Sequence, residues 1–238
     1  MAGGAPVTVT TTVANENATL TFAGTAGQRV SLKVSGVTIG TSTTGSIKVS
    51  ITKPDGTALV AATSMGTSGG YIDVKSLPTT GTYTILVDPQ LAAIGSATLQ
   101  LYDVPADLTP SITAGGAPVT ITTTIPGQNA KLTFAGTAGR RISLKVSGVT
   151  IGTSTTGSLK VSITKPDGTA LVAATSMGTN GGFIDVKSLP TTGTYTILVD
   201  PQSFAIGSAT LQLYDVPADA SAAITPGGAP VSDRKSVV

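Results

Sequence analysis

A segment of 112 residues occurs twice in this 238-residue chain. Ala2-Gly3-Gly4-Ala5-Pro6-Val7 returns as Ala114-Gly115-Gly116-Ala117-Pro118-Val119, and a third start reads Pro226-Gly227-Gly228-Ala229-Pro230-Val231. Residues 2–113 and 114–225 differ at 17 of the 112 positions. A unit of this length can bury its own core, whereas solenoid repeats of roughly 20–50 residues cannot. The chain therefore reads as independent domains in series. The differences between copies fall largely at a loop, Ala14–Glu16, at the stretch Leu108–Ser111, and at a few conservative apolar swaps.

The repeat sets the expected boundaries. One domain occupies residues 2–107, a linker 108–118, a second domain 119–219, and the beginning of a third copy 220–232. The tail Asp233-Arg234-Lys235-Ser236-Val237-Val238 does not continue the repeat. It matches the translation of a sequencing-library adapter, GAT CGG AAG AGC GTC GTG, so residues 233–238 are expected to be an assembly artefact. The chain is then expected to be a fragment of a longer array, which would account for the lack of a signal peptide ahead of Ala2. The underlying nucleotides test this, because any other codon choice rules the adapter out.

Thr, Ser, Gly and Val dominate, the composition of short strands joined by tight turns. Apolar and polar residues alternate: Val30, Leu32 and Val34 with Ser31 and Lys33; Ile47, Val49 and Ile51 with Lys48 and Ser50; Tyr83, Ile85 and Val87 with Thr84 and Leu86. With Val7–Val13, Leu20–Phe22, Tyr71–Val74 and Ala97–Leu101, each copy shows about seven to nine short strands. Pro89–Ile94 has room for at most one helical turn. Lys53-Pro54-Asp55-Gly56-Thr57 is a β-turn sequence: Pro presets φ, and Gly relieves the exit. Gly24–Gly27 and Gly40–Gly45 read as further loops. The expected fold is all-β: two tandem antiparallel β-sandwich domains of jelly-roll or Ig-like type, with outer faces of Thr, Ser and Lys. In Leu77-Pro78-Thr79-Thr80-Gly81-Thr82-Tyr83, a tyrosine opens a strand just after a corner. Tyr83 and Tyr195 are expected to turn their hydroxyls back onto that corner.

Several function classes are excluded by residue content. The chain has no Cys and no His, which removes thiolate nucleophiles, disulfides, Ser-His-Asp triads and His or thiolate metal sites. Its formal net charge is +2 with 11% charged residues, so it lacks the basic stripe that nucleic acid requires. Mean hydropathy is +0.31, but no apolar run approaches the ~20 residues of a membrane helix. With no Trp and 4% aromatics, the chain offers little for a sugar-stacking platform, which weakens a carbohydrate-binding reading. Tyr71 and Phe183 are equivalent and read as core or sheet residues, whereas Phe204 stands where the first copy has Ala92.

Leu20–Leu32, Pro54-Asp55-Gly56-Thr57, Leu77–Ile85 and Gly95-Ser96-Ala97-Thr98-Leu99 occur in an order that resembles bacterial pre-peptidase C-terminal domains. The resemblance covers most of each repeat. It implies β-sandwich modules of the kind found in secreted proteases and large surface proteins. Near-identical tandem copies also resemble the repeats of RHS/YD-type surface proteins. Some relatives bind collagen, or hold calcium through carboxylates clustered near the domain start. Here that position offers only Glu16, and Gln128 in the second copy.

A calcium ion asks for roughly six to eight oxygens. The closest approach to such a set is Asp103-Val104-Pro105-Ala106-Asp107 at the domain exit, with Asp215 and Asp219 in the second copy. These read as linker and turn residues, with calcium the single metal to consider. No catalytic residue and no cofactor is expected. The expected role is a non-catalytic structural or adhesive repeat, a stalk or spacer, in a large secreted or cell-surface bacterial protein. The alternative is an accessory binding domain of a secreted peptidase or other hydrolase. Expected partners are neighbouring repeats and extracellular protein or polysaccharide, not nucleic acid, with no membrane span. The expected location is extracellular or at the cell surface.

Overall fold

The computed structural model describes residues 2–40, 47–152, 159–219, 221, 223 and 225–228. The Gly40–Gly45 loop beyond Gly40, most of the third copy's start and the tail from Asp233 lie outside the described residues.

Among the described residues the first copy forms eight strands: β1 (Val7–Thr11), β2 (Ala18–Gly24), β3 (Arg29–Ser35), β4 (Ile47–Thr52), β5 (Ala58–Met65), β6 (Gly70–Ser76), β7 (Gly81–Pro89) and β8 (Gly95–Asp103). The second repeats the plan: β9 (Val119–Thr123), β10 (Ala130–Gly136), β11 (Arg141–Ser147), β12 (Leu159–Thr164), β13 (Ala170–Met177), β14 (Gly182–Ser188), β15 (Gly193–Pro201) and β16 (Gly207–Val216). Each copy forms two four-stranded sheets, ordered β1-β8-β3-β6 and β2-β7-β4-β5 in the first, with the same orders in the second. Every strand pair is antiparallel. The fold is all-β, with two β-sandwiches in tandem.

The alternation in the sequence decides which side faces in. Leu32 and Val34 of β3, Ile47, Val49 and Ile51 of β4, and Ile85 and Val87 of β7 meet in one buried cluster. Complete burial of side chains this large is worth about 1.5–3 kcal/mol each. Outer faces carry threonine ladders, such as Thr8 and Thr98 with hydroxyls 2.8 Å apart.

The turn and corner readings hold. Gly56 N–H donates to Lys53 O at 2.9 Å with Gly56 at φ 79°, and the Asp55 carboxylate accepts from the Thr57 N–H and hydroxyl at 2.9 and 2.6 Å. Tyr83 is fully buried, donates to Thr79 O at 2.7 Å and stacks on Phe22 with centroids 5.3 Å apart. Tyr195 does the same with Thr191 and Phe134. Gly24 permits this stack, since a Cβ there would overlap Leu77 Cδ1 and stand 3.0 Å from the Tyr83 ring.

Pro89–Ile94, with room for at most one helical turn, forms a turn and no helix, with Leu91 at φ 59°, and Ser203 at 56° in the second copy. One local expectation needs correcting. Ala58–Met65 is a strand without a clean alternating pattern. It lies at the edge of its sheet, mostly exposed, and its backbone pairing with β4 defines it.

Candidate functional site

The two sandwiches meet at a junction built by three parts of the second repeat and one face of the first. The chain leaves β8 through Val104, whose N–H donates to Arg29 O at 2.8 Å. Arg29 then donates to Pro105 O at 3.0 Å and to the Asp107 carboxylate at 2.7 Å. From Leu108 the chain runs parallel to β10, bridging it at Leu108–Ala130 and Ser111–Thr133. Leu108 N–H donates to Asn129 O, Lys131 N–H to Leu108 O, Thr133 N–H to Pro110 O and Ile112 N–H to Thr133 O, at 2.7–3.1 Å. Leu108, Pro110 and Ile112 turn inward while Thr109 and Ser111 face solvent. Ile112 is buried in the second sandwich's core. The stretch read as linker is thus pinned to the second domain.

Asp107 is the electrostatic centre of the junction. Lys131 Nζ lies 3.0 Å from its carboxylate on the side opposite in sequence to Arg29, and Asn129 N–H donates to it at 3.3 Å. Burial works against its charge. The Arg29 and Lys131 cations and the Asn129 N–H outweigh burial and hold the carboxyl below its ordinary range. Asp200, half-buried on β15, is shifted the other way. Burial raises it, and the Asp73 and Asp107 charges add, against the opposing Gln202 amide and Lys160.

The loop between β9 and β10 rests on the outer face of the first sandwich. Ser31 Oγ donates to Pro126 O at 2.8 Å. Gly127, at φ 91°, lies so close that a Cβ would stand 2.9 Å from Tyr71 Oη and 3.4 Å from both Ser31 Cβ and Val74 Cβ. Gln128 accepts from Thr124 N–H at 3.5 Å and donates to Ala106 O at 3.1 Å. Glu16, its counterpart, only accepts, from the N–H groups of Thr12 and Val13 at 2.7 and 3.2 Å. An amide can hold the Ala106 carbonyl, and an ionised carboxylate cannot.

Aromatic contacts complete the junction. Phe204, on the loop after β15, meets Tyr71 edge-on at 6.5 Å, and Lys33 Nζ sits 4.2 Å above its ring. Tyr71 is a sheet residue of β6, as expected, and its side chain points outward and packs against the next domain. Its hydroxyl is buried without a hydrogen-bond partner beside Ser31, which is committed to Pro126. Burial, reinforced by the Asp73 charge and opposed by Ser31, pushes that hydroxyl up to about 12. In the second copy the matching face bears Phe183, 57% exposed, and an exposed Lys145.

The four carboxylates considered for calcium are engaged by neighbours. Asp103 accepts from Gln28 Nε2 at 3.0 Å, and Asp107 faces Arg29 and Lys131. Asp215 pairs with Arg140 at 2.6 Å, and Asp219 with Arg141 at 2.9 Å. No cluster of three or more metal-ligating side chains forms among the described residues. Nothing in the sequence pattern of one repeat marks Lys131, Gln128, Phe204 or Tyr71 as a contact between copies. A usable signal was present: Tyr71, Leu108, Pro110, Ser111, Pro126, Gly127, Gln128, Lys131 and Phe204 all lie at positions where the copies differ.

No protein-family model matches the chain. No curated protein matches it either. Solved structures to which the chain is similar include the pre-peptidase C-terminal domain of a Bacillus anthracis collagenase, at 13% identity and TM-score 0.36, covering 45% of this chain and 95% of that one. A periplasmic inhibitor of g-type lysozyme from Aeromonas hydrophila matches at 13% identity and TM-score 0.30, covering 45% and 98%. The CUB1-EGF-CUB2 segment of human MASP-1/3 matches at 9% identity and TM-score 0.27, covering 87% and 99%. None of the described residues forms a helix long and apolar enough to cross a membrane.

Proposed function

We propose that this chain is a non-catalytic structural repeat, a spacer or stalk segment of a larger secreted or cell-surface bacterial protein. The observation that carries the reading is Leu108–Ile112, the only covalent connection between the sandwiches, held along β10 by four main-chain hydrogen bonds. A spacer transmits distance only if its joints resist bending, and a pinned connection limits that freedom where a Gly/Ser coil would not. Each sandwich adds about 30–40 Å to such an array, from strand rises of ~3.3 Å per residue plus turns. The absence of His and Cys from the sequence agrees with a role that needs no proton shuttle or thiolate.

Small-angle scattering of the full chain tests the proposal. The expected profile fits one conformation with two sandwiches in fixed register. A profile that requires a broad ensemble of independently tumbling domains overturns it. Pull-downs against collagen, chitin, cellulose and peptidoglycan form the second arm. Specific retention on any of them turns the assignment to an accessory binding domain.

A further inference from the structure

The two copies carry the same residues at the open side of the sandwich, but those residues are buried to different degrees. Leu132 and Ala130 of β10 and Leu213 of β16 are fully buried, whereas their counterparts Leu20, Ala18 and Leu101 are only half-buried. Val7 is 47% exposed, and its counterpart Val119 is half-buried. The difference comes from outside the repeat. In the second copy Leu108 and Ile112 pack into the cleft between the edge strands β9 and β10. In the first copy the equivalent cleft, between β1 and β2, is a groove of about 90 Å³ lined by Val7, Leu20, Phe22, Leu32, Leu99 and Leu101. Every one of these residues recurs unchanged in the second copy. The outer edge of β2, an end strand of its sheet, borders the same groove.

We propose that this groove is a docking site for an extended peptide that enters the fold directly ahead of Ala2. The occupant carries leucine and isoleucine four residues apart around a Thr-Pro-Ser core and adds a parallel strand to β2. Period-two geometry puts the Leu, Pro and Ile of such a segment on one face, as seen for Leu108, Pro110 and Ile112. Main-chain bonds to the strand edge hold it, and pockets for alternate side chains select it. The Thr19 and Thr21 N–H groups are its donors, as Lys131 and Thr133 are in the second copy. The polar part of recognition differs. Thr19 stands in place of Lys131, and Glu16 in place of Gln128, so the groove does not call for an aspartate where Asp107 sits. The inference does not depend on the spacer role.

The test extends the full chain ahead of Ala2 by the sequence of Pro105–Thr113 and follows amide hydrogen exchange. The expected result is exchange slowed about tenfold or more at Thr19 and Thr21, approaching Lys131 and Thr133. An extension with serine in place of its leucine and isoleucine should leave both amides as fast as in the parent chain. Replacing the extension's aspartate by alanine should preserve the protection. Unchanged exchange with the first extension overturns the proposal, as does equal slowing by the serine version.

Discussion

The Lys131 ammonium lies 3.0 Å from the Asp107 carboxylate, joining β10 of the second sandwich to the exit of the first. The first copy has Thr19 at the lysine's position, so this ion pair is particular to the junction. Lys131 is half exposed, so Lys131→Thr should cost only about 0.5–1 kcal/mol. Asp107→Ala should cost more, about 2 kcal/mol, because Arg29 and the Asn129 N–H both lose their acceptor. Urea denaturation of the two variants beside the parent chain checks the order.

Acidification should act on the junction in two steps of opposite sign. Asp200 is raised, so its ionised form costs stability at neutral pH, and that cost is relieved as pH falls through its folded value. Asp107 is lowered, so its contribution is complete above the unfolded carboxyl value of ~3.9 and is lost as pH falls through the folded one. Relative to the parent chain, Asp200→Asn should remove the gain in mildly acid solution, and Asp107→Asn should remove the later loss. Thermal unfolding across the acid range measures both differences.

Gly127→Asn installs the residue of the first copy, where Asn15 takes φ 64° on an exposed loop. The backbone tolerates it, but the added atoms meet Tyr71, Ser31 and Val74. The expected cost is about 1–3 kcal/mol, confined to the junction. Phenolate titration reports it: Tyr71 should fall from about 12 toward its ordinary 10 once the loop lifts, while the sandwiches stay folded.

Tyr71→Phe should act in the opposite sense. It removes a buried hydroxyl that has no partner and keeps the ring against Phe204. A stabilisation of about 1 kcal/mol is expected from calorimetry of the purified variant. The second copy already has this residue, Phe183.

Tyr83→Phe should destabilise. The hydroxyl donates to Thr79 O at 2.7 Å and accepts from Thr79 N–H at 3.3 Å, both in a buried corner. About 1–2 kcal/mol should be lost from the first sandwich, with the same loss from Tyr195→Phe in the second. Separate unfolding steps, one lowered in each variant, would show the effect.

Much of each sandwich was legible because its determinants are local. Alternation placed Val30, Leu32 and Val34 inward, Lys53–Thr57 announced a β-turn, and a tyrosine opening a strand just after a corner announced the Tyr83 contact. Ala58–Met65 was not legible. An edge strand exposed on most of its length carries no apolar rhythm, and only its partner β4 defines it. The junction was illegible for a different reason. Leu20 and Leu132 are the same residue at equivalent places in the repeat, yet only one is fully buried, because the covering segment comes from outside that repeat. Periodicity within a window cannot report such a neighbour. The differences between copies do report it, once they are seen to gather in space.

The placement of the docking loop near the front of a repeat, with Tyr71 and Leu108–Ile112 nearer the back, bears on how such a gene can lengthen. Residues 48–67 and 160–179 are identical, an obvious place for unequal crossover. A copy inserted by exchange there inherits Pro126–Lys131 at its front and Tyr71 with Leu108–Ile112 at its rear. It fits behind the first domain and ahead of the second, losing only the Phe204 contact, which becomes Ala92. Recombination can therefore add members to the series at the loss of one aromatic contact.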